Sequence, residues 1–259
     1  MEKQLSISSV EALYDEYGTQ YGLDRLTKGV LVNDYIERPA LRELIQSAQH
    51  RKKNKISSVL DIGCGPGVYA KDLAGQGKSV TALDISNEML NFAKEHCKTH
   101  LGETNFNNIN FIHSSFEAFN GEKNKFDLIL ATFMLSYFPD LDFFFRKVNR
   151  LLEKRGKIIT SMLHPIRLFS DVSGGSNGYL VKDYFQNGHY DSDFMDKNNH
   201  IPLKRWRIEE VVNAAFNNGL LIEKILEPTP VINLPEEFKE KADFFKSNPS
   251  LIMFMLRKK

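Results

Sequence analysis

Short apolar runs alternate with amphipathic stretches from residue 58 onward. The runs have the length and composition of strands that are buried on both faces, and the stretches between them carry apolar residues at helical spacing. Predicted strands cover residues 59–62, 80–83, 109–112, 126–130 and 157–162, and predicted helices cover residues 69–74, 87–98 and 141–153, with Gly156 as the cap of the last helix. This order predicts an α/β fold in which helices cover both faces of a mostly parallel sheet.

The first 54 residues are polar and have a helical pattern. Leu13, Tyr17 and Tyr21 recur at four-residue spacing, and a second helix is predicted from Pro39 to Gln49 because proline suits a first helical turn. We interpret residues 1–54 as a helical segment that precedes a main domain at residues 55–259.

The periodicity is lost between residues 165 and 206, where Gly, Asn, Asp, Ser and Tyr dominate. Long irregular stretches inside a domain are typical of functional loops and lids, so this segment is interpreted as an insertion. Beyond it, the pattern predicts a helix over residues 208–217 and strands over residues 220–225 and 251–256. No helical crossover is predicted between these two strands, which favours an antiparallel pair.

Composition narrows the class of protein. Of 259 residues, 42% are hydrophobic and 26% charged, as in soluble globular proteins, and the net charge of +1 provides no field that would attract nucleic acid. The two cysteines form neither a disulfide framework nor a metal-ligand pattern, which favours a reducing compartment. No signal sequence and no membrane-spanning run is found. We therefore expect a cytoplasmic protein, monomeric or homodimeric, without metal, membrane or nucleic-acid partners.

A glycine-rich turn follows the first predicted strand, in the segment Asp61-Ile62-Gly63-Cys64-Gly65-Pro66-Gly67-Val68. Glycines at such a turn let a ligand lie against the backbone. Dinucleotide-binding folds require G-x-G-x-x-G, whereas Val68 stands at the last position here and the third glycine comes one residue early. The spacing therefore favours a nucleoside ligand without a pyrophosphate over NAD.

A carboxylate ends the second predicted strand. Asp84 lies 17 residues after Gly67, where an acidic side chain can accept hydrogen bonds from both hydroxyls of a ribose. Dehydrogenases also have an acidic residue at the end of the second strand. Asp84 therefore indicates binding of an adenosine but does not distinguish between the possible cofactors. As an isolated residue, Asp84 could also be a turn or cap residue before Ser86.

Three segments together resemble the successive motifs of class I S-adenosylmethionine-dependent methyltransferases. They are Asp61-Ile62-Gly63-Cys64-Gly65-Pro66-Gly67, Leu83-Asp84-Ile85-Ser86-Asn87-Glu88-Met89-Leu90 and Phe126-Asp127-Leu128-Ile129-Leu130-Ala131. The resemblance covers about residues 30–165. It implies a Rossmann-like sheet of seven strands with the last strand antiparallel, and S-adenosyl-L-methionine bound over the carboxyl ends of the strands. S-adenosyl-L-homocysteine would be the product.

The resemblance assigns cofactor roles by position. It implies that the glycine turn, together with Asp61, lies along the methionine part of the cofactor and that Asp84 holds the ribose. Side chains after the second and third strands would surround the adenine. Residues 1–54 would form a lid. The implied cofactor residues are Asp61, Gly63, Cys64, Gly65, Gly67, Asp84, Ile85, Met89, Ser115, Phe116, Ala131, Thr132, Tyr21 and Arg38. Ser115 stands where relatives usually carry an acidic residue.

Methyl transfer by direct displacement mainly requires a nucleophile held in line with the methyl carbon. A base is needed only when the nucleophile must lose a proton, and His164, just after the fifth strand, is the candidate for this base or for a substrate contact. Tyr14, Tyr137, His189 and Trp206 are the further substrate candidates. A structural role is the alternative for each of these residues, and Ser136 stands where close relatives often have a histidine.

The predicted reaction is transfer of a methyl group to an O or N nucleophile of a small molecule. Enzymes that methylate exocyclic amines of DNA bases carry an Asn/Asp-Pro-Pro-aromatic motif after the fourth strand, whereas this chain reads Ala131-Thr132-Phe133-Met134. Two alternatives remain open. The chain could bind the cofactor without transferring a methyl group, as a scaffold, a regulator or a catalyst of another rearrangement, or it could be a nicotinamide oxidoreductase, which Val68 disfavours.

Overall fold

The computed structural model describes residues 7–49, 55–168, 170–171, 178–186, 188–193 and 200–259. The helices are α1 (Ile7–Thr27), α2 (Arg38–Gln49), α3 (Val68–Ala74), α4 (Asn87–His100), α5 (Glu103–Phe106), α6 (Leu141–Leu151), α7 (Pro165–Leu168), α8 (Ile208–Asn217) and α9 (Lys239–Ser247). The strands are β1 (Ser58–Ile62), β2 (Ser79–Asp84), β3 (Ile109–His113), β4 (Phe126–Ala131), β5 (Leu152–Leu163), β6 (Ser170–Asp171), β7 (Leu180–Val181), β8 (His189–Asp193), β9 (His200–Lys204), β10 (Leu220–Leu226) and β11 (Leu251–Lys258).

One seven-stranded sheet organises the chain, in the order β10-β11-β5-β4-β1-β2-β3. β11 runs antiparallel to both of its neighbours, and the other six strands are parallel to one another. The predicted Rossmann-like sheet with an antiparallel last strand is confirmed.

The central strands are buried on both faces because helices cover the sheet on each side. Val59 and Leu60 of β1, and Leu128 and Ile129 of β4, have no exposed surface. Alternate residues of each strand enter two different apolar cores, one packed against α2 and α3 and the other against α6 and α8. The continuous apolar runs in the sequence follow from this double coverage.

The fifth strand begins earlier than expected. β5 starts at Leu152, directly after α6, and contains Gly156, so the prediction of Gly156 as a helix cap was wrong. A Cβ atom at position 156 would lie 2.8 Å from the carbonyl oxygen of Phe126 on β4. Glycine is therefore required here by the close approach of two strand backbones.

The N-terminal helix α1 packs on α4. Ideal Cβ atoms at Gly18 and Gly22 would lie 2.6 Å from the Met89 side chain and 3.2 Å from the Phe92 ring. The two glycines thus allow close contact between the helices. A π-helical turn, Asn33–Glu37, then leads directly into α2.

The segment between β5 and α8 contains more regular structure than its composition predicts. Within its described residues, β6 pairs with β7 and β8 pairs with β9, each pair antiparallel. The Gly-rich stretch at 172–177 lies outside the described residues. No helix in the described part of the chain is both long enough and apolar enough to cross a lipid bilayer.

We predict that Gly67→Ala destabilises the protein more than Gly77→Ala. Both glycines have positive φ, +78° and +76°, so alanine at either position costs about 1–2 kcal/mol of backbone strain. At position 67 the new methyl group would also lie 3.0 Å from the Ala93 Cα atom, whereas position 77 is open. Equilibrium urea unfolding should show at least about 1 kcal/mol of additional loss for Gly67→Ala. Equal losses would contradict this account.

Candidate active site

A cavity of about 360 Å³ opens at the carboxyl ends of β1, β2 and β4, beneath α1. Its volume lies in the usual range of small-molecule sites, and ligands of open α/β sheets bind at this edge. The structure brings twelve of the predicted site residues together in its lining: Tyr14, Tyr21, Gly63, Cys64, Gly65, Asp84, Ile85, Met89, Ser115, Phe116, Thr132 and Tyr137.

The glycine turn forms the floor of the cavity. The backbone nitrogens of Gly63 and Cys64 both donate to the carbonyl oxygen of Leu83 on β2, at 2.8 and 3.0 Å. Gly65 has φ +52°, and a Cβ atom there would meet nothing within 4 Å. The turn is thus fastened to β2 and leaves its backbone accessible to a ligand.

Asp84 ends β2 and joins the two motifs. Its Oδ2 atom accepts from the backbone nitrogen of Gly65 at 2.8 Å, and its Oδ1 atom accepts from that of Ser86 at 2.9 Å. Burial raises the pKa of this carboxyl group to about 6, although the backbone donors act in the opposite direction. Each carboxylate oxygen can accept a further hydrogen bond, so Asp84 keeps acceptor capacity for a ligand in the cavity.

Asp61 lies in β1 behind the glycine turn and is completely buried. Neither of its carboxylate oxygens has a hydrogen-bond partner among the described residues. Burial raises its pKa to about 7, and the negative charges of Asp84 and Glu37 add to this effect. A buried carboxylate without a donor is unfavourable, so this position suits a cationic or hydrogen-bond-donating ligand nearby.

The helix α1 covers the cavity and is held by polar contacts. The hydroxyl oxygens of Tyr14 and Tyr137 lie 2.6 Å apart, which connects α1 to the turn after β4. Asp15 accepts from the Ser86 hydroxyl at 2.6 Å, and Ser86 also caps α4 through the backbone nitrogen of Met89. Two contacts at different points therefore hold α1 over the cavity.

Arg25 is a lining residue that the sequence analysis missed. Its guanidinium group donates to the Tyr21 hydroxyl at 2.9 Å and pairs with Asp34 at 2.9 Å. Arg38, which was predicted to contact the cofactor, instead pairs with Asp72 of α3 at 2.9 Å and does not line the cavity. The four-residue spacing of Tyr21 and Arg25 on one helical face is the signal that could have found Arg25.

Glu37 was also missed. It is completely buried, accepts from the Tyr69 hydroxyl at 2.6 Å and from the Ser161 hydroxyl, and burial raises its pKa to about 7. The Ser161 hydroxyl in turn accepts from the backbone nitrogen of Phe133 at 2.9 Å. Glu37 thus connects the N-terminal segment to the cavity wall after β4.

Several predicted site residues lie outside the cavity lining. His164 is buried, its Nδ1 accepts from the backbone nitrogen of Ile166 at 3.2 Å, and its Nε2 lies 2.8 Å from Glu227. Burial lowers the pKa of His164, and Glu227 opposes this shift. Trp206 donates to the carbonyl oxygen of Leu135 at 3.0 Å and packs in the second core.

The other predicted residues outside the lining are Asp61, Gly67, Ala131 and His189. Ala131 ends β4, and its carbonyl oxygen accepts from the Thr160 hydroxyl at 2.7 Å. His189 begins β8 in the insertion. Across the described ranges, no group of three or more His, Cys, Asp and Glu side chains is arranged to hold a metal ion.

Comparison with known proteins shows similarity to methyltransferases. A family model described as "Methyltransferase domain" matches residues 59–156. The chain is 26% identical over 162 residues to a ubiquinone biosynthesis O-methyltransferase of Coxiella burnetii, and the match covers 62% of each chain. It thus spans less than two thirds of that relative's length.

Two solved structures illustrate the similarity of fold. A S-adenosylmethionine-dependent methyltransferase from Mesorhizobium loti is 22% identical and superposes with a TM-score of 0.68, over 86% of this chain and 97% of that one. The [4+2]-cyclase SpnF is 15% identical, with a TM-score of 0.66 over 99% of this chain and 98% of the cyclase. The same fold therefore accompanies two kinds of reaction.

We predict that Asp61→Asn stabilises the ligand-free protein increasingly as the pH rises. An exposed Asp releases its proton near pH 4, whereas the folded protein holds the Asp61 proton up to about pH 7, so wild-type stability falls between these values. Asparagine does not titrate. The gap in unfolding free energy between variant and wild type should therefore widen by about 2 kcal/mol from pH 5 to pH 8.

The measurement is urea unfolding at each pH, and Asp243→Asn is the matched control because Asp243 is exposed on α9. A gap that stays constant or narrows with rising pH would show that Asp61 is not protonated in the folded protein.

Proposed function

We propose that the chain is a class I S-adenosylmethionine-dependent methyltransferase and that it transfers a methyl group from S-adenosylmethionine to an O or N nucleophile of a small molecule. The observation that carries the proposal is the cavity in which the glycine turn, Asp84 and Ile85 meet beneath α1. The chemistry of its lining fits the different parts of this cofactor.

The nucleoside end of the cofactor fits the part of the cavity near β2. Asp84 has free acceptor capacity for the two ribose hydroxyls, and the Gly65 turn beside it is open. Ile85, Met89 and Phe116 supply apolar surface for the adenine, and Ser115 is beside them to accept a hydrogen bond. These roles follow from the donors and acceptors present.

The amino-acid end of the cofactor carries an ammonium and a carboxylate. The buried carboxyl groups of Asp61 and Asp84 favour binding of the ammonium group. Arg25 and Tyr21 favour binding of the carboxylate. Arg25 lines the cavity, whereas Arg38, which the resemblance had included among the cofactor residues, pairs with Asp72. The pairing of Arg25 with Asp34 holds the guanidinium in place on the cavity side.

S-adenosylmethionine, when bound, supplies a methyl group already activated by a positively charged sulfur. The chain's contribution is to position the acceptor and to exclude water. Thr132 lines the cavity after β4, as do Tyr14 of α1 and Tyr137 of the turn after β4, whose hydroxyl oxygens lie 2.6 Å apart. We assign to these two hydroxyls the orientation of the acceptor's nucleophilic atom.

Two additions to the methyltransferase core are proposed to enclose the site: residues 1–54 as a lid and residues 165–206 as a cap. The contacts of α1 with Tyr137 and Ser86 support the lid. A small acceptor fits an enclosed cavity, and the name of the Coxiella burnetii relative favours an oxygen nucleophile.

A second candidate function is catalysis of a rearrangement without methyl transfer, because the cyclase SpnF shares the fold over nearly the whole chain. Incubation of the protein with metabolite extract and S-adenosylmethionine labelled in the methyl group separates the two functions. Labelled product supports methyl transfer, whereas cofactor binding without any labelled product favours the second candidate.

We predict that the protein binds S-adenosylhomocysteine and that Asp84→Asn weakens this binding about 10- to 100-fold, because a charged hydrogen bond to a ligand is worth about 1.5–3 kcal/mol. Titration calorimetry measures both affinities, with Asp243→Asn as the control that leaves binding unchanged. Tight binding of NADH with no binding of S-adenosylhomocysteine would overturn the proposed function.

We also predict that His164→Ala retains methyl transfer at close to the wild-type rate, because His164 faces Glu227 and lies outside the cavity. The assay is transfer of labelled methyl to the acceptor found in the extract. General-base catalysis contributes a rate factor of about 100 or more. If turnover by the folded variant instead falls by about 100-fold or more, the result would support His164 as the general base.

A further inference from the structure

Arg167, in the short helix α7 after β5, is half-buried and has a buried guanidinium nitrogen, Nη1, without a hydrogen-bond partner. Among the side chains that the structure describes, no carboxylate is found in an ion pair with it. The guanidinium group lies over the ring of Phe245 of α9, 5.2 Å from its centroid. This aromatic contact attracts a cation but does not satisfy its N–H donors.

The groups around Arg167 are also donors. The Tyr179 hydroxyl is buried and has no hydrogen-bond partner in the described part of the chain, and its ring packs against Phe244 at 5.3 Å. Burial raises the pKa of Tyr179, so its hydroxyl keeps its proton. Lys241 of α9 is close enough for the charge of Arg167 to lower its pKa further than burial alone. Among its described side chains, the cluster therefore offers positive charge and hydrogen-bond donors but no carboxylate.

Tyr190 connects this cluster to the cavity. Its hydroxyl bonds to the side chain of Ser136, the residue before Tyr137, and Tyr137 lines the cavity. Burial raises the pKa of Tyr190 to about 12, although the charges of Arg167 and Arg205 act in the opposite direction. Arg167 is therefore close enough for its charge to act on Tyr190, whose hydroxyl contacts the residue beside Tyr137.

We propose that Arg167 and Tyr179 bind a carboxylate group of the methyl acceptor. A buried charge without a partner is costly, and a carboxylate would supply both the missing charge and the acceptors for the N–H fork and the phenol. This inference rests on the proposed function, because it assigns the acceptor's anionic end to the cluster and its nucleophilic end to Tyr14 and Tyr137.

The position of the cluster suits selection of the acceptor. Arg167, Tyr179 and Tyr190 all belong to the segment 165–206, with Arg167 on α7 directly after β5. A carboxylate bound to Arg167 and Tyr179 would join the start of this segment to its later part. A neutral analogue of the acceptor would leave the guanidinium group of Arg167 unpaired. This difference is the physical basis on which the site would discriminate anionic from neutral acceptors.

The test uses the whole chain saturated with S-adenosylhomocysteine and titrated with benzoate, benzamide and phenyl phosphate in a calorimeter. Benzoate should bind at least about tenfold more tightly than the neutral, isosteric benzamide, and Arg167→Met should abolish that difference while leaving the affinity for S-adenosylhomocysteine unchanged. Arg146→Met is the control, because Arg146 is exposed on α6.

Equal affinities for benzoate and benzamide, absence of benzoate binding, or benzoate binding that survives Arg167→Met would each overturn the proposal. Stronger binding of phenyl phosphate than of benzoate would overturn the assignment of a carboxylate. Failure of the wild type to bind S-adenosylhomocysteine would instead overturn the proposed function on which the inference rests.

Thermal unfolding of the ligand-free variant separates ligand binding from a structural role. Because the charge of Arg167 is uncompensated, Arg167→Met should melt at or above the wild-type temperature. A lower melting temperature together with unchanged benzoate affinity would show that Arg167 serves only packing.

Discussion

The hydrogen bond from the backbone nitrogen of Gly65 to the carboxylate of Asp84 connects the two halves of the cofactor cavity. It forms because β1 and β2 are parallel neighbours in fixed register, with Ile62 beside Leu83, so that both strands end at the same edge. The turn after β1 then folds back onto the end of β2 through the carbonyl oxygen of Leu83. The open backbone of the turn and the acidic end of β2 are thereby held together, and the cavity beneath α1 forms around them.

The same edge concentrates buried acidic groups. Asp61, Asp84 and Glu37 all have pKa values raised by burial, and the charges of Asp84 and Glu37 raise that of Asp61 further. The positive charge of Arg25 acts in the opposite direction and lowers the pKa values of Asp61 and Glu37. A cationic ligand would lower the cost of ionising these groups, so the electrostatics of the ligand-free site and the positive charge of the proposed cofactor are complementary.

Much of the sheet could be predicted because burial on both faces leaves a signal in the sequence itself. The apolar runs around Leu60 and Leu130 identify central strands, and the acidic residue that ends β2, Asp84, lines the cavity as the sequence predicted. Side-chain direction leaves no such signal. The spacing of Tyr21 and Arg25 places both residues on one face of α1, but the sequence does not show that this face covers the cavity or that Arg38 turns toward Asp72, because this depends on how α1 and the π-helical turn pack on the sheet. His164 follows its strand at the expected place, yet its ring is drawn toward Glu227, a residue 63 positions later in the chain.

The N-terminal helix and the segment after β5 contribute different chemistry around the cavity. α1 carries the Tyr14 hydroxyl, an arginine paired with Asp34, and glycines that let it lie close on α4. The segment after β5 carries Arg167 and Tyr179, which have buried polar atoms without hydrogen-bond partners among the described residues. Because a guanidinium group without an acidic partner favours an anion from outside the chain, the proposed carboxylate contact assigns selection of the acceptor to this segment.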